Sequence, residues 1–319
     1  MSKKRFSVEA QSSRRNFLAL AVGSSLAAAL PELSAWAAEP LLNRAIPGSG
    51  EKLPVVGLGT SIVFDVGDDA AKRAERRTVL QTMLAGGGRL IDTAPSYGTA
   101  ESVVGDLLAE ISGRAGTFLA TKVRAADRAS AQAEMQQSQR RLRTDRFDLM
   151  QLHNVGNRDS ETAAQIAQLR EWKAQGICRY FGITHYVDDA HDRLIEVMRR
   201  EKPDFIQVNY SLADRSVEQR LLLAARDTGT AVLINLPFGR GKLFSAVRGK
   251  ALPAWAAEFD AASWGQFFLK YLLAHEAVTC VIPGTDKPEY MLDNLGAGRG
   301  RMPDAAQRRK MVGFFESLG

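Results

Sequence analysis

The stretch LIDTAPSYG, residues 90–98, decides the fold when read with two later apolar runs, TFLATKV at 117–123 and FDLMQLHN at 147–154. Each run is apolar through its body and polar at its end. Together the ends supply Asp92, Tyr97, Lys122 and His153. Short apolar runs of this kind read as buried strands, and the segments between them, 101–111 and 130–143, carry the periodicity of helices.

The alternation extends in both directions. Upstream, Pro47-Gly48-Ser49-Gly50 is a turn cluster between short apolar pieces and predicts a small hairpin within 44–56. Residues 55–60 read as a short buried strand, and 70–85 as a helix stopped by Gly86-Gly87-Gly88 before a strand at 89–92. Downstream, helices at 161–174, 190–200, 217–228 and 262–275 alternate with strands at 178–183, 205–209, 231–236 and 278–283, and a last helix covers 305–318. Eight strands in such alternation predict an α/β fold, a single-domain (β/α)8 TIM barrel over residues 38–319. A doubly wound sheet would carry a glycine-rich fingerprint after its first strand, and Gly57-Leu58-Gly59-Thr60-Ser61-Ile62 has no third glycine.

In a barrel the C-terminal strand ends and the loops beyond them form one rim. Asp92, Lys122 and His153 fall there on the second, third and fourth strands, with Tyr97 in the loop beyond the second. A phenol with a free pKa near ~10 is a poor acid at neutral pH, so a nearby ammonium must favour the phenolate. Lys122 can supply that charge, Asp92 can hold Lys122 charged, and His153 can hydrogen-bond a substrate oxygen and share in a proton relay. The set suits protonation of a carbonyl oxygen while a hydride reaches its carbon. Taken singly, a strand-end Lys beside an Asp is an ordinary ion pair, and a strand-end His an ordinary polar residue. The argument lies in their arrival on successive strands.

These residues resemble the aldo-keto reductase family: Asp92-Thr93-Ala94-Pro95-Ser96-Tyr97-Gly98 matches its D-x-A-x-x-Y-G, Lys122 its strand-end lysine and His153 its strand-end histidine. The resemblance spans residues 44–294 and implies a barrel that uses NADP or NAD to reduce aldehydes or ketones, with Tyr97 as the acid. Gly182-Ile183-Thr184-His185-Tyr186 stands where the family has G-x-S-N-F, so the resemblance puts Thr184, His185 and Gln207 against the nicotinamide carboxamide. Where the family commonly reads Y-S-P-L-G-x-G, this chain has Asn235-Leu236-Pro237-Phe238-Gly239-Arg240-Gly241. Asn235 cannot stack as an aromatic does, so either Phe238 or another ring covers the cofactor, or that face is looser.

Gly284, Thr285 and Asn294 match the adenosine-phosphate segment, with backbone N–H groups to meet phosphate, and Asp293 and Asn294 to hold adenine. Lys287 is the nearby cation, whereas Gly284 and Tyr290 occupy common lysine and arginine positions and Asp286 would repel a 2′-phosphate. The expectation is NADPH only modestly favoured over NADH. Phe64 and Phe238 are candidate pocket walls, though each reads more readily as ordinary packing than as a recognition element, and the short loop 154–160 suggests an open cleft for the carbonyl substrate.

The first 37 residues stand apart. Ser13-Arg14-Arg15-Asn16-Phe17-Leu18 is a twin-arginine pattern, followed by an apolar and small-residue run to Leu30 and by Ala35-Trp36-Ala37, an A-x-A-like cleavage site. This order predicts an export signal read by the twin-arginine machinery, and a periplasmic or secreted protein with no stable membrane insertion after cleavage. An unstructured tail would explain the charges but would not need the cleavage site. Lys3, Lys4, Arg5, Arg14 and Arg15 against Glu9 and Glu32 carry +3 of the formal +6, leaving +3 on the remainder. With no basic run there, the chain does not read as a nucleic-acid binder.

Composition is that of a soluble globular chain, 45% hydrophobic and 24% charged over 319 residues. His185, His191 and His275 lack metal-ligand spacing, and no metal is expected. Cys178 and Cys280 sit in strands that are not neighbours in such a barrel and read as small buried hydrophobes. Export leaves two readings of function: a reductase that carries a tightly held cofactor outward, or a cofactor-binding sensor or partner-binding module with little turnover.

Overall fold

The computed structural model describes residues 39–318; the expected export signal, 1–37, lies outside the described residues. All the described secondary structure belongs to one compact unit, Leu41–Gly319. It opens with an antiparallel hairpin of β1 (Asn43–Ala45) and β2 (Lys52–Pro54). Eight parallel strands follow: β3 (Leu58–Gly59), β4 (Leu90–Asp92), β5 (Phe118–Val123), β6 (Phe147–Leu152), β7 (Cys178–Thr184), β8 (Phe205–Asn209), β9 (Ala231–Asn235) and β10 (Val278–Val281). Each pairs with its sequence neighbour, and bridges from Val56 to Val281 and from Gly59 to Gly284 close the ring.

The helices are α1 (Ala70–Ala85), α2 (Ala100–Glu110), α3 (Arg128–Leu142), α4 (Asp159–Ala174), α5 (His191–Glu201), α6 (Leu221–Thr228), α7 (Lys242–Ala246), α8 (Trp264–Leu273), α9 (Pro288–Gly296) and α10 (Ala305–Glu316). Several starts are set by a side chain that accepts an otherwise orphaned backbone N–H. Asp69 accepts from Lys72, Asp127 from Ser130 and Ser263 from Gln266, while Asp304 and Gln307 form a reciprocal pair.

The period of two along the strands sorts the core into two parts. Leu90, Phe118, Ala120, Leu149, Tyr180, Phe205, Ala231, Leu233 and Cys280 pack together inside the ring. The intervening Ile91, Leu119, Met150, Phe181, Ile206, Val232 and Ile234 pack outward with the helices. Ile46 and Leu53 of the hairpin join the inner group, and the Tyr180 hydroxyl donates to Ser49 Oγ at 2.8 Å, so the hairpin plugs the floor. Followed to the other end, the inward parity yields Asp92, Lys122, Gln151, Thr184, Gln207 and Asn235. The inner layer at the rim is therefore polar.

Two elements differ from the sequence reading. The expected strand 55–60 keeps only Leu58–Gly59 in its ladder; Val56 makes an isolated bridge to Val281 of β10, and Gly59 one to Gly284 beyond it. The expected helix 217–228 breaks before Leu221: Arg220 leaves helical geometry, and Glu218 is drawn to accept from the Tyr271 hydroxyl at 2.8 Å and from Arg308 at 2.7 Å. Phe64 is wholly buried among apolar neighbours and absent from the lining of the rim cavity, so it is packing, the more natural of its two readings, and not a pocket wall. Cys178 and Cys280 are both free and buried.

Candidate active site

Asp92 ends β4 and Lys122 lies one residue from the end of β5, with both side chains inside the barrel. Lys122 Nζ donates to Asp92 Oδ2 at 2.7 Å and to the Thr93 carbonyl at 2.9 Å. With exposures of 1% for Lys122 and 2% for Asp92, the pair is shielded from water. Removing one partner of such a pair costs roughly 3–5 kcal/mol, because the other charge is left buried and unpaired. The second Asp92 oxygen, Oδ1, accepts from Gln151 Nε2 at 3.0 Å and Gln207 Nε2 at 2.8 Å. Gly182 makes room for this layer, since a Cβ there would stand 3.2 Å from Gln151 Cγ.

Tyr97 reaches the pair from the loop beyond β4. Its ring centroid is 4.9 Å from Lys122 Nζ and 6.0 Å from the His153 ring, edge to face. The loop is pinned by Asp65, whose Oδ1 accepts from the Thr99 backbone at 2.9 Å and the Thr99 hydroxyl at 2.8 Å. Gly98 has φ of 58° there, and a Cβ on it would lie 2.3 Å from the Asp65 carboxyl. Only glycine meets both demands.

The electrostatics follow from this packing. Burial opposes the charge on Lys122, but Asp92 and Tyr97 outweigh it and its pKa is raised. Burial, then the positive charges of Lys122 and Arg124, push His153 down to about 3. Its imidazole is therefore neutral at physiological pH. Nδ1 is buried without a partner. A neutral ring fits hydrogen bonding to a substrate oxygen better than the proton relay the sequence suggested.

These groups open into a cavity of about 720 Å³, a size that suits a small ligand. Asp92, Tyr97 and His153 line it, as do Thr184, His185, Gln207, Asn235, Phe238, Arg240 and Gly284. Gly239, Thr285 and Asn294 are not in its wall. Thr184 Oγ1 accepts from the Asn154 backbone at 3.0 Å, which turns the chain past His153. His185 Nδ1 accepts from the backbones of Tyr186 at 3.1 Å and Val187 at 3.2 Å, so its proton sits on Nε2. Asn235 Oδ1 is buried and unpartnered. Phe238 stands on Phe244 with centroids 4.9 Å apart.

The adenosine side is less accommodating. Asp293 accepts from Ser263 Oγ at 2.7 Å and Gln266 Nε2 at 2.8 Å, which ties it to the start of α8. Lys287 lies over the Tyr290 ring at 5.6 Å. Three contributors were not anticipated: Gln151, Arg124 and Thr60, whose hydroxyl donates to the Asp92 carbonyl at 3.0 Å. Parity could have found Gln151, two residues before His153 on the same inward face. The same parity marks Arg124, two residues after Lys122 and just past the strand end, whereas nothing local marks Thr60.

The comparisons with known proteins fall on this same unit. Residues 55–307 match the model of the Aldo/keto reductase family. A methylglyoxal reductase of Escherichia coli, YeaE, is 30% identical over 245 residues, covering 75% of this chain and 84% of the relative. An NADH-specific methylglyoxal reductase of the same organism is 30% identical over 63% of this chain and 68% of its own length. Among solved structures, an aldo/keto reductase from Klebsiella pneumoniae in complex with NADP and acetate superposes with a TM-score of 0.71 at 24% identity. That superposition covers 85% of this chain and 94% of the Klebsiella chain, and shows the shared fold. The chain belongs to the aldo/keto reductase family and is an NAD(P)H-dependent oxidoreductase of carbonyl compounds.

Proposed function

We propose that Tyr97 delivers the proton to the carbonyl oxygen, with Lys122, Asp92 and His153 in support. The observation that carries this reading is the position of Lys122 Nζ, 2.7 Å from Asp92 and 4.9 Å from the Tyr97 ring. An ammonium there stabilises the negative charge that develops on the phenol oxygen as its proton leaves. Asp92 keeps that ammonium charged and aimed, and the two glutamines hold the carboxylate still. His153, neutral, donates a hydrogen bond to the substrate oxygen and so fixes the carbonyl beside Tyr97.

The bound reduced nicotinamide supplies the hydride. The cavity fits its ring end: the Gln207 carbonyl oxygen, Thr184 hydroxyl and His185 Nε2–H offer one acceptor and two donors for a carboxamide, and Asn235 Oδ1 lacks a partner. Phe238 is the aromatic ring nearest to replacing the family's stacking tyrosine. Gly239 and Arg240 close the turn beside it, while Gly284, Thr285 and Asn294 serve the adenosine end. With Asp293 engaged and Lys287 the nearby cation, a preference for NADPH over NADH is modest.

Two relatives carry the name methylglyoxal reductase, so small carbonyl compounds such as methylglyoxal are the first substrates to assay. Carbonyl-dependent oxidation of NADPH or NADH is expected to fall by roughly a hundredfold or more in Tyr97→Phe, the scale of a lost general acid. Full activity in that variant would refute the role of Tyr97. We also propose, from the order of its motifs, that residues 1–37 direct twin-arginine export and that the mature protein works outside the cytoplasm.

A further inference from the structure

We propose that Arg124 is a specificity residue that selects carbonyl substrates bearing a carboxylate or another oxyanion. This rests on the reading of Tyr97 as the proton donor, and names the class of compound presented to it. Arg124 follows β5 directly and lines the cavity with Tyr97 and His153. Its backbone is clamped from two sides: its N–H donates to Glu134 Oε2 at 2.9 Å, and its carbonyl accepts from Gln165 Nε2 at 3.2 Å. Its guanidinium makes no hydrogen bond or ion pair among the described residues, so the clamp fixes the stem and leaves the charge for a ligand. That charge is felt at the centre, where it helps keep His153 uncharged.

The charge balance of the cavity points the same way. Asp92 is its only acidic wall residue among those described, and Lys122 neutralises it. Two unpaired guanidiniums remain, Arg124 and Arg240. They sit on opposite halves of the rim. Arg240 follows β9, beside the residues proposed to hold the cofactor, whose diphosphate accounts for one cation. Arg124 lies between β5 and β6, on the side of His153, where a substrate must place its carbonyl. A planar guanidinium recognises an oxyanion through paired N–H donors.

The test compares matched pairs with saturating cofactor: 4-oxobutanoate against butanal for a carboxylate, and glycolaldehyde phosphate against glycolaldehyde for a phosphate. For wild type, the charged member of at least one pair is expected to have the higher kcat/KM, and the pair that shows it identifies the anion. Raising the ionic strength from 0.05 to 0.5 M is expected to shrink the preference, since the guanidinium is exposed. In Arg124→Met the charged-to-neutral ratio of kcat/KM should drop roughly tenfold, a partly screened charge-assisted contact, and Arg124→Lys should retain part of it. A wild-type ratio near one for both pairs, or a ratio unmoved by salt and by Arg124→Met, overturns the proposal. The salt arm needs no variant. Wild type that reduces neither member of either pair, or the neutral members alone, overturns this inference, whereas the Tyr97 reading on which it rests stands or falls separately with Tyr97→Phe on methylglyoxal.

Discussion

His153 shows how much of a residue's behaviour is set by groups far from it in sequence. Its strand-end position is readable from the run 147–154, and so are those of Asp92 and Lys122, because which residue types terminate an apolar run is a property of the run itself. Its ionisation is not, since the causes lie in burial, in Lys122 on the neighbouring strand and in Arg124 just beyond that strand's end. The hydrogen bonds that hold Asp92 are equally remote, since its two glutamine partners come 59 and 115 residues later. The depressed His153 pKa predicts a pH dependence of stability. Above the unfolded value near ~6.5 the ring is neutral in both states and contributes nothing. Below it the unfolded chain takes up a proton that the folded chain refuses until about pH 3, so stability falls as pH drops through that window. At pH 5 the loss is roughly 2 kcal/mol. Urea denaturation at pH 8 and pH 5 should therefore show a larger acid loss for wild type than for His153→Gln, and equal losses would contradict the assignment.

At the scale of elements, most strands and helices were legible from periodicity, and the failures have tertiary causes. The strand around Leu58 is short, with Val56 held instead by an isolated bridge to Val281 of β10, and the start of the expected helix 217–228 is lost to the Tyr210, Tyr271 and Arg308 cluster around Glu218. Adenine recognition by Asp293 was plausible by motif, and the helix start that shares this carboxylate, through Ser263 and Gln266, was not legible because it lies 27 to 30 residues earlier. One element acts as a strap. Arg76 of α1 is 5% exposed and donates Nε to the Val63 carbonyl at 2.6 Å and Nη1 to the Asp286 carbonyl at 2.7 Å. It ties the loop after β3 to the loop after β10, and both loops supply cavity wall. Arg76→Met should weaken NADPH binding roughly tenfold in a fluorescence titration, with helix content unchanged by circular dichroism, because two charge-assisted bonds are lost. An unaltered dissociation constant would show that the loops need no strap.

For the molecule as a whole, the barrel divides its labour between ends: an apolar floor sealed by the hairpin, and a polar rim that collects the chemistry. That division was visible in the placement of polar residues after apolar runs. The packing of the floor was not, because Tyr180 meets Ser49 across 131 residues. Among the described residues no helix is long and apolar enough to cross a membrane. The proposed export signal makes its own prediction: replacing Arg14 and Arg15 with lysines should leave the chain in the cytoplasm on bacterial fractionation, and equal periplasmic amounts would remove the proposal. The two thiols bear on the proposed export. Cys178, its pKa pushed by burial to about 12, and Cys280, also raised by burial, are inert sulfhydryls inside the wall. No covalent cross-link between them holds the barrel together, so its folding needs no oxidant and gains nothing from one. Such a chain can finish folding among reducing thiols, close around its dinucleotide where that is made, and meet an oxidising environment afterwards with nothing left to form or to break.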